Sequence, residues 1–233
     1  MANNILITGA NRGLGLAMTE QLLQGGHQVF VLRRHESSRL AELQVEFRDS
    51  LHQYACDVTD EACIRKAFEV LSSQTDALDI LINNAAVHLD QARLPLEQVD
   101  FSVYLPAFQS NSVAPLIVTK YALPLLRKGQ GKLIVNVSSE AGSIGECWRK
   151  SEYSYCMTKS ALNMGSRILQ NYLQEEGIKV LAIHPGWFTS DMGGPEAPIS
   201  PAEAAAPIVQ LILDPPKLDE PMFVDSSRKV WEW

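Results

Sequence analysis

A short apolar strand that runs straight into a glycine turn, and then into a helix, constrains this chain more than any other feature. Residues Asn4–Thr8 read Asn-Ile-Leu-Ile-Thr, and Gly9-Ala-Asn-Arg-Gly13-Leu-Gly15 follows at once. An amphipathic helix carrying Leu16, Leu22 and Leu23 comes next and stops at Gly25-Gly26. Small glycines let the backbone approach an anion, and a helix N-terminus offers free N–H groups and partial positive charge. The unit therefore reads as a pyrophosphate site built from Gly9, Asn11, Arg12, Gly13, Leu14 and Gly15. The spacing is Gly-x-x-x-Gly-x-Gly, not the commoner Gly-x-Gly-x-x-Gly. The plain alternative is a tight turn between strand and helix.

The second strand is expected at residues 28–32. A fold that prefers NAD usually carries an acid near this point to bond the ribose 2′-hydroxyl. This chain has Leu32-Arg33-Arg34 instead. An arginine fork suits a 2′-phosphate, so the cofactor read here is NADP (NADPH), with Arg33 as the contact and Arg12 as a second phosphate ligand. The bland alternative is a pair of solvated loop charges.

Further along, strands are expected at 51–56, 77–82, 132–137, 178–184 and 222–225. Helices are expected at 37–47, 61–74, 155–176 and 201–213, and one long helix at 101–128 is bent or interrupted by Pro106, Pro115 and Pro124. Residues 91–100 read as irregular or helical. Asp60 or Thr59 caps the helix after the third strand, and Asp57 either closes that strand or bonds an adenine ring. Alternating strands and helices predict an α/β, doubly wound, mostly parallel sheet of about seven strands in one domain over 1–233. Ligands of such sheets sit at the strands' carboxyl ends. Asn83-Asn-Ala85-Ala86 and Ser138-Ser139 fall there.

Tyr155 and Lys159 lie four apart on one expected helix face. A phenol ordinarily titrates near ~10. A nearby ammonium is expected to lower that value and make Tyr155 a general acid or base.

Composition narrows the partners. The 233 residues carry a net charge of −7 with no basic block, which argues against nucleic acid or an anionic membrane. No apolar run approaches a membrane span. The N-terminus reads as a strand and not as a signal peptide. Cys56, Cys63, Cys147 and Cys156 show no metal or disulfide spacing. No metal is expected, and a reducing cytoplasm is the expected setting.

With these blocks in order, the chain resembles the short-chain dehydrogenase/reductase family over nearly its full length. The blocks are Thr8-Gly-Ala-Asn-Arg-Gly-Leu-Gly15, Asp57-Val58, Asn83-Asn-Ala85, Asn111, Val137-Ser-Ser-Glu-Ala-Gly142, Tyr155-Cys-Met-Thr-Lys159 and Pro185-Gly186. His184-Pro-Gly-Trp, Asp191-Met-Gly-Gly194 and Ala161-Leu-Asn163 resemble most its C-factor-like and sniffer-like carbonyl reductase branch.

The resemblance implies a single Rossmann-like domain that reduces a ketone or aldehyde with NADPH. It implies Tyr155 as acid/base, Lys159 on the nicotinamide ribose, Ser139 polarising the carbonyl and Asn111 holding a relay water. Ser139 is preferred to Ser138 because two residues and then Gly142 follow it. Cofactor contacts are implied at Asp57 and Val58 (adenine), Asn83 and Ala85 (adenosine ribose), and Pro185, Gly186, Phe188 and Ser190 (nicotinamide). The family often forms a homodimer or homotetramer through its long helices.

Three departures stand out. Ala86 replaces a usual glycine, Ser190 stands for a usual threonine, and the loop between Ser139 and Tyr155 is a few residues long for the pattern. The pocket expected around Val87, His88, Ile144, Trp148, Trp187 and Met192 is mostly apolar, with His88 read as a substrate contact or, more simply, as a solvated loop side chain. The short lid before Pro201 implies an open pocket. Two other functions fit the chain less well: a nucleotide-binding regulatory protein with little turnover, and a non-redox epimerase or dehydratase.

Overall fold

The computed structural model describes residues 2–89, 93–220 and 222–233. Seven strands form one sheet: β1 (Asn4–Thr8), β2 (Gln28–Arg33), β3 (Leu51–Ala55), β4 (Ile80–Asn83), β5 (Leu133–Val137), β6 (Lys179–His184) and β7 (Phe223–Asp225). Their order is β3-β2-β1-β4-β5-β6-β7, and every pairing is parallel. The chain order reverses between β1 and β4, which opens a crevice at their carboxyl ends.

Alternate strand residues serve opposite faces. Ile5 and Ile7 pack with α1 (Gly13–Gln24), α2 (Ser38–Glu46) and α7 (Pro201–Leu213) through Leu14, Leu43 and Ile208. Leu6 points the other way. It packs with α3 (Glu61–Leu71), α5 (Ala114–Leu126) and α6 (Tyr153–Leu173) through Phe68, Val118 and Leu173. Both faces are thus covered, as parallel sheets require.

Side-chain caps set several boundaries. Asp60, one of the two expected caps, accepts from the Ala62 and Cys63 N–H groups. Ser200 and Glu203 form a reciprocal capping box at α7, whose expected span is reproduced.

The long helix expected at 101–128 is broken. A 3₁₀ turn (Phe101–Val103) and α4 (Tyr104–Phe108) lead into a π-type turn (Gln109–Val113) before α5. The Ala114 N–H reaches back to the Gln109 carbonyl, one residue further than an α-helix allows. Pro115 has no N–H to give the Asn111 carbonyl, so the regular ladder cannot continue there. The part of the 91–100 expectation on residues 91 and 92 lies outside the described residues. A 3₁₀ turn (Leu96–Gln98) follows them. Among the described residues no helix is long and apolar enough to cross a membrane.

Candidate functional site

The crevice holds a cleft of about 1180 Å³ above the carboxyl ends of β1, β4, β5 and β6. Its floor at one end is the glycine turn. A Cβ on Gly9 would lie 2.8 Å from the Ala85 Cα, and Gly9 has φ +68°, so only glycine fits. Gly13 has φ +54° with nothing within 4 Å of a Cβ position, which leaves its backbone open to the cleft. Arg12, the N-cap of α1, makes no side-chain cap hydrogen bond, so the first N–H groups remain available to an anion. The Arg12 guanidinium forms an exposed ion pair with Asp191 across the mouth.

Asn11, Leu14, Gly15, Asp57, Val58, Ala85, Pro185, Gly186, Phe188 and Ser190 all line the cleft as expected. Two expected contacts do not. Arg33 turns along β2, where its Nε donates to Gln53 at 2.8 Å, because successive strand residues face opposite ways. Arg34 lines the cleft in its place and faces Asp57 at 3.7 Å. Asn83 is buried below the floor, its amide donating to Asn136 at 2.9 Å. Its neighbour Asn84 lines the cleft and donates to the Thr8 and Gly9 carbonyls, tying β4's end to the glycine turn. Burial would raise the Asp57 carboxyl's pKa. Hydrogen bonds from Thr59 and the charge of Arg34 outweigh it and hold the group below the usual range.

At the other end, α6 presents Tyr155 and buries Lys159. The Lys159 ammonium donates to the Val137 carbonyl at 2.8 Å and lies 5.6 Å from the centre of the Tyr155 ring. Burial pulls Lys159 down to about 8. The Tyr155 phenol moves against expectation: burial pushes it up, and the Ser139 hydroxyl only partly offsets this. Desolvation of the phenolate outweighs the help of a neighbouring hydroxyl here.

The two serines separate cleanly. Ser138 donates to Asn163 at 2.6 Å, whereas Ser139 is the one close enough to act on the phenol. Asn111 does not line the cleft. Its amide brackets Val87 with 2.8 Å bonds to both backbone groups, and it donates to Thr158 at 3.0 Å. It ties the loop after β4 to α6, a bracing role.

The long loop after Ser139 brings charge, not the mostly apolar wall expected. Arg149 bridges Glu140 and Glu152, and all three line the cleft. Glu152 sits at the N-terminus of α6 in the left-handed region, φ 62°, facing His88 at 3.4 Å and Arg93 at 3.6 Å. His88 is not solvated: it is 8 % exposed and stacks on Tyr155 at 4.3 Å between ring centres. Val87, Trp148, Trp187 and Met192 line the cleft; Ile144 is exposed and does not. The loop's path is set by the chain's last residues. The Trp233 carbonyl accepts from Ile144 and Gly145 N–H groups at 3.2 Å, and Glu146 accepts from Glu232 N–H at 3.1 Å.

Sequence reasoning missed Glu140, Arg149, Glu152 and His184: the Arg149–Glu152 pair is local, but its place beside His88, and that of Glu140 beside His184, is set by segments distant in the chain. A charged residue directly after Ser139 was the available signal.

Residues 3–198 match the family model described as short chain dehydrogenase. The chain belongs to the short-chain dehydrogenase family. This short-chain dehydrogenase superposes on carbonyl reductase Sniffer of D. melanogaster with a TM-score of 0.93 at 30% identity, covering both chains completely. It superposes on an NADPH-bound carbonyl reductase from chicken fatty liver with a TM-score of 0.89 at 29% identity, covering 100% of this chain and 99% of that one. Among curated relatives it is 36% identical to C-signal of Myxococcus xanthus over 59% of this chain and 82% of that protein. It is 34% identical to the short-chain dehydrogenase anuI of Penicillium roqueforti over 88% of this chain and 86% of that one. The resemblance to the carbonyl reductase-like branch is thereby upheld.

Proposed function

We propose that this short-chain dehydrogenase is an NADPH-dependent carbonyl reductase. The observation that carries the reading is the Tyr155 phenol, next to Ser139 and in front of buried Lys159, at the far end of a cleft that begins at an open glycine turn. The residues fit a dinucleotide. Gly9, Gly13 and Gly15 leave room for a pyrophosphate against the start of α1. Arg34 and His35 line the cleft beside Asp57, where a 2′-phosphate would find cationic and hydrogen-bonding partners. Lys159, Pro185, Gly186, Phe188 and Ser190 would hold the nicotinamide end. NADPH bound there supplies the hydride.

The chain's own work is positioning and proton transfer. Tyr155 gives its proton to the carbonyl oxygen, with the Ser139 hydroxyl beside that oxygen. Lys159 keeps its charge close to the phenol, which favours the phenolate as the proton leaves. Val87, bracketed by Asn111, lines the cleft, and His88 stacks on the phenol ring. NADPH consumption with a panel of ketones and aldehydes tests the reading. Turnover in the wild type that collapses in Tyr155→Phe supports it, and wild-type rates in that variant defeat it.

A second reading rests on the likeness to a relative named C-signal: a nucleotide-binding regulatory protein with little turnover. Tight NADPH binding without consumption across the panel would favour it.

A further inference from the structure

The loop that walls the cleft near Tyr155 has little packing of its own. It carries Trp148 and Arg149 into the cleft, yet Ile144 and Trp148 are both exposed. Ordering such a loop costs backbone entropy that its own contacts do not offset. Among the described residues, the Ile144 and Gly145 N–H groups are the only ones between 143 and 151 that donate outside residues 140–152, and both reach the Trp233 carbonyl at 3.2 Å. Beside them, the Glu232 N–H donates to Glu146 Oε1 at 3.1 Å, and the Lys229 ammonium faces Glu146 Oε2 at 3.5 Å. The segments approach so closely at Gly145 that a Cβ there would lie 3.1 Å from the Glu232 Cβ. The pinning segment is itself registered on the sheet. After β7 the chain turns at Asp225, whose carboxylate accepts from the Ser227 and Lys229 N–H groups at 2.8 and 3.0 Å. Val230 then returns antiparallel to Val224, and the Trp231 N–H donates to the Phe223 carbonyl at 2.9 Å. The Trp231 ring meets His184 edge-on at 5.4 Å, and His184 lines the cleft and faces Glu140 at 3.5 Å. Residues 229–233 thus reach the wall at two places without lining the cleft themselves.

We propose that residues 229–233 are the anchor that positions the substrate-side wall, and that through it they set which carbonyl compounds fit. The specificity rests on the proposed carbonyl reduction; the anchoring does not. A large aryl ketone has to lie against Trp148 and Arg149 to bring its carbonyl to Tyr155, whereas a small aldehyde reaches Tyr155 without them. Displacing the anchor therefore weakens the first substrate and spares the second.

Gly145→Ala in the full chain tests this. Gly145 lies outside the left-handed region, so the added methyl presses on Glu232 and does not strain the loop's own backbone. With 2-acetylnaphthalene and propanal as the two substrates, KM for the ketone is expected to rise roughly 10-fold with little change in its kcat. Propanal turnover and NADPH affinity are expected to stay within about twofold. Glu232→Gly in the same chain removes the side chain that the methyl meets and is expected to restore the ketone KM. Trp231→Ala, which withdraws the ring from His184, reaches the same wall by a second route and is expected to raise the same KM, with thermal melts to check folding. An unchanged ketone KM, equal loss of both substrates, or no rescue by Glu232→Gly overturns the assignment. Amide hydrogen exchange reads the anchor without turnover: residues 143–151 should exchange faster in Gly145→Ala and slow again with Glu232→Gly, while residues 9–15 stay as they were. A panel without NADPH consumption defeats the proposed function alone, and unchanged exchange at 143–151 defeats the anchor alone.

Discussion

The two ends of the cleft are built from different materials. The end at the glycine turn is mostly backbone: Gly9 fitted against Ala85, an open helix N-terminus, and the exposed cations Arg12 and Arg34. The end at Tyr155 is mostly buried side chain, with His88 after β4, Glu140, Arg149 and Glu152 from the segment after β5, and Lys159 from α6. Backbone geometry is rigid and insensitive to pH. Buried charge shifts its neighbours' protonation and costs stability where it is poorly compensated. One end is suited to holding a fixed anion and the other to moving a proton.

The largest expected effect separates the two ends. Tyr155→Phe is expected to lower kcat by roughly 10²-fold or more while leaving NADPH affinity unchanged by fluorescence titration. A matched loss of affinity would mean the ends are not independent. Gly9→Ala should do the reverse. Its Cβ meets Ala85 at 2.8 Å and its φ is +68°, so a loss of about 2–3 kcal/mol in denaturant unfolding is expected, together with weaker NADPH binding. A neutral result would show that the turn tolerates a side chain.

Lys159→Met probes the cost of buried charge. The folded-state pKa of Lys159 is depressed to about 8 from an ordinary 10.5. Below pH 8 the buried ammonium carries its full penalty; between about 8 and 10.5 the unfolded chain holds more protons, and stability rises with pH. The variant should therefore be more stable than the wild type at pH 7, by roughly 1–3 kcal/mol, with the gap closing toward pH 10. Equal melting at both pH values would show that the Val137 bond already compensates the charge. The smallest effect belongs to the adenine end. Arg34→Ala should weaken NADPH roughly 10-fold and NADH little, whereas Arg33→Ala should treat both alike. The opposite pattern would return the phosphate contact to Arg33.

The same division explains what could be read from residues alone. Strand β1, its turn and α1 form one contiguous stretch, so pattern and glycine spacing were enough to place Gly9, Gly13 and Gly15. The error at Arg33 came from strand parity: one residue decides which face a side chain takes, and β2 runs one residue beyond its expected end. Asn83 and Asn84 exchanged places for the same reason. The break at Asn111 was half legible, since the prolines announced a disruption but not its π geometry.

What the order of residues decided unaided was the alternating α/β architecture, the phosphate turn, and the Tyr155–Lys159 pair, because each depends on neighbours within a few positions. The tertiary structure alone decided the surroundings of that pair. His88, Glu140, Arg149 and His184 come together only when β4, the loop after β5, and β6 are laid side by side, and burial then reverses the shift expected of the phenol. Desolvation is a property of the packed whole, so no local pattern in the chain announces it.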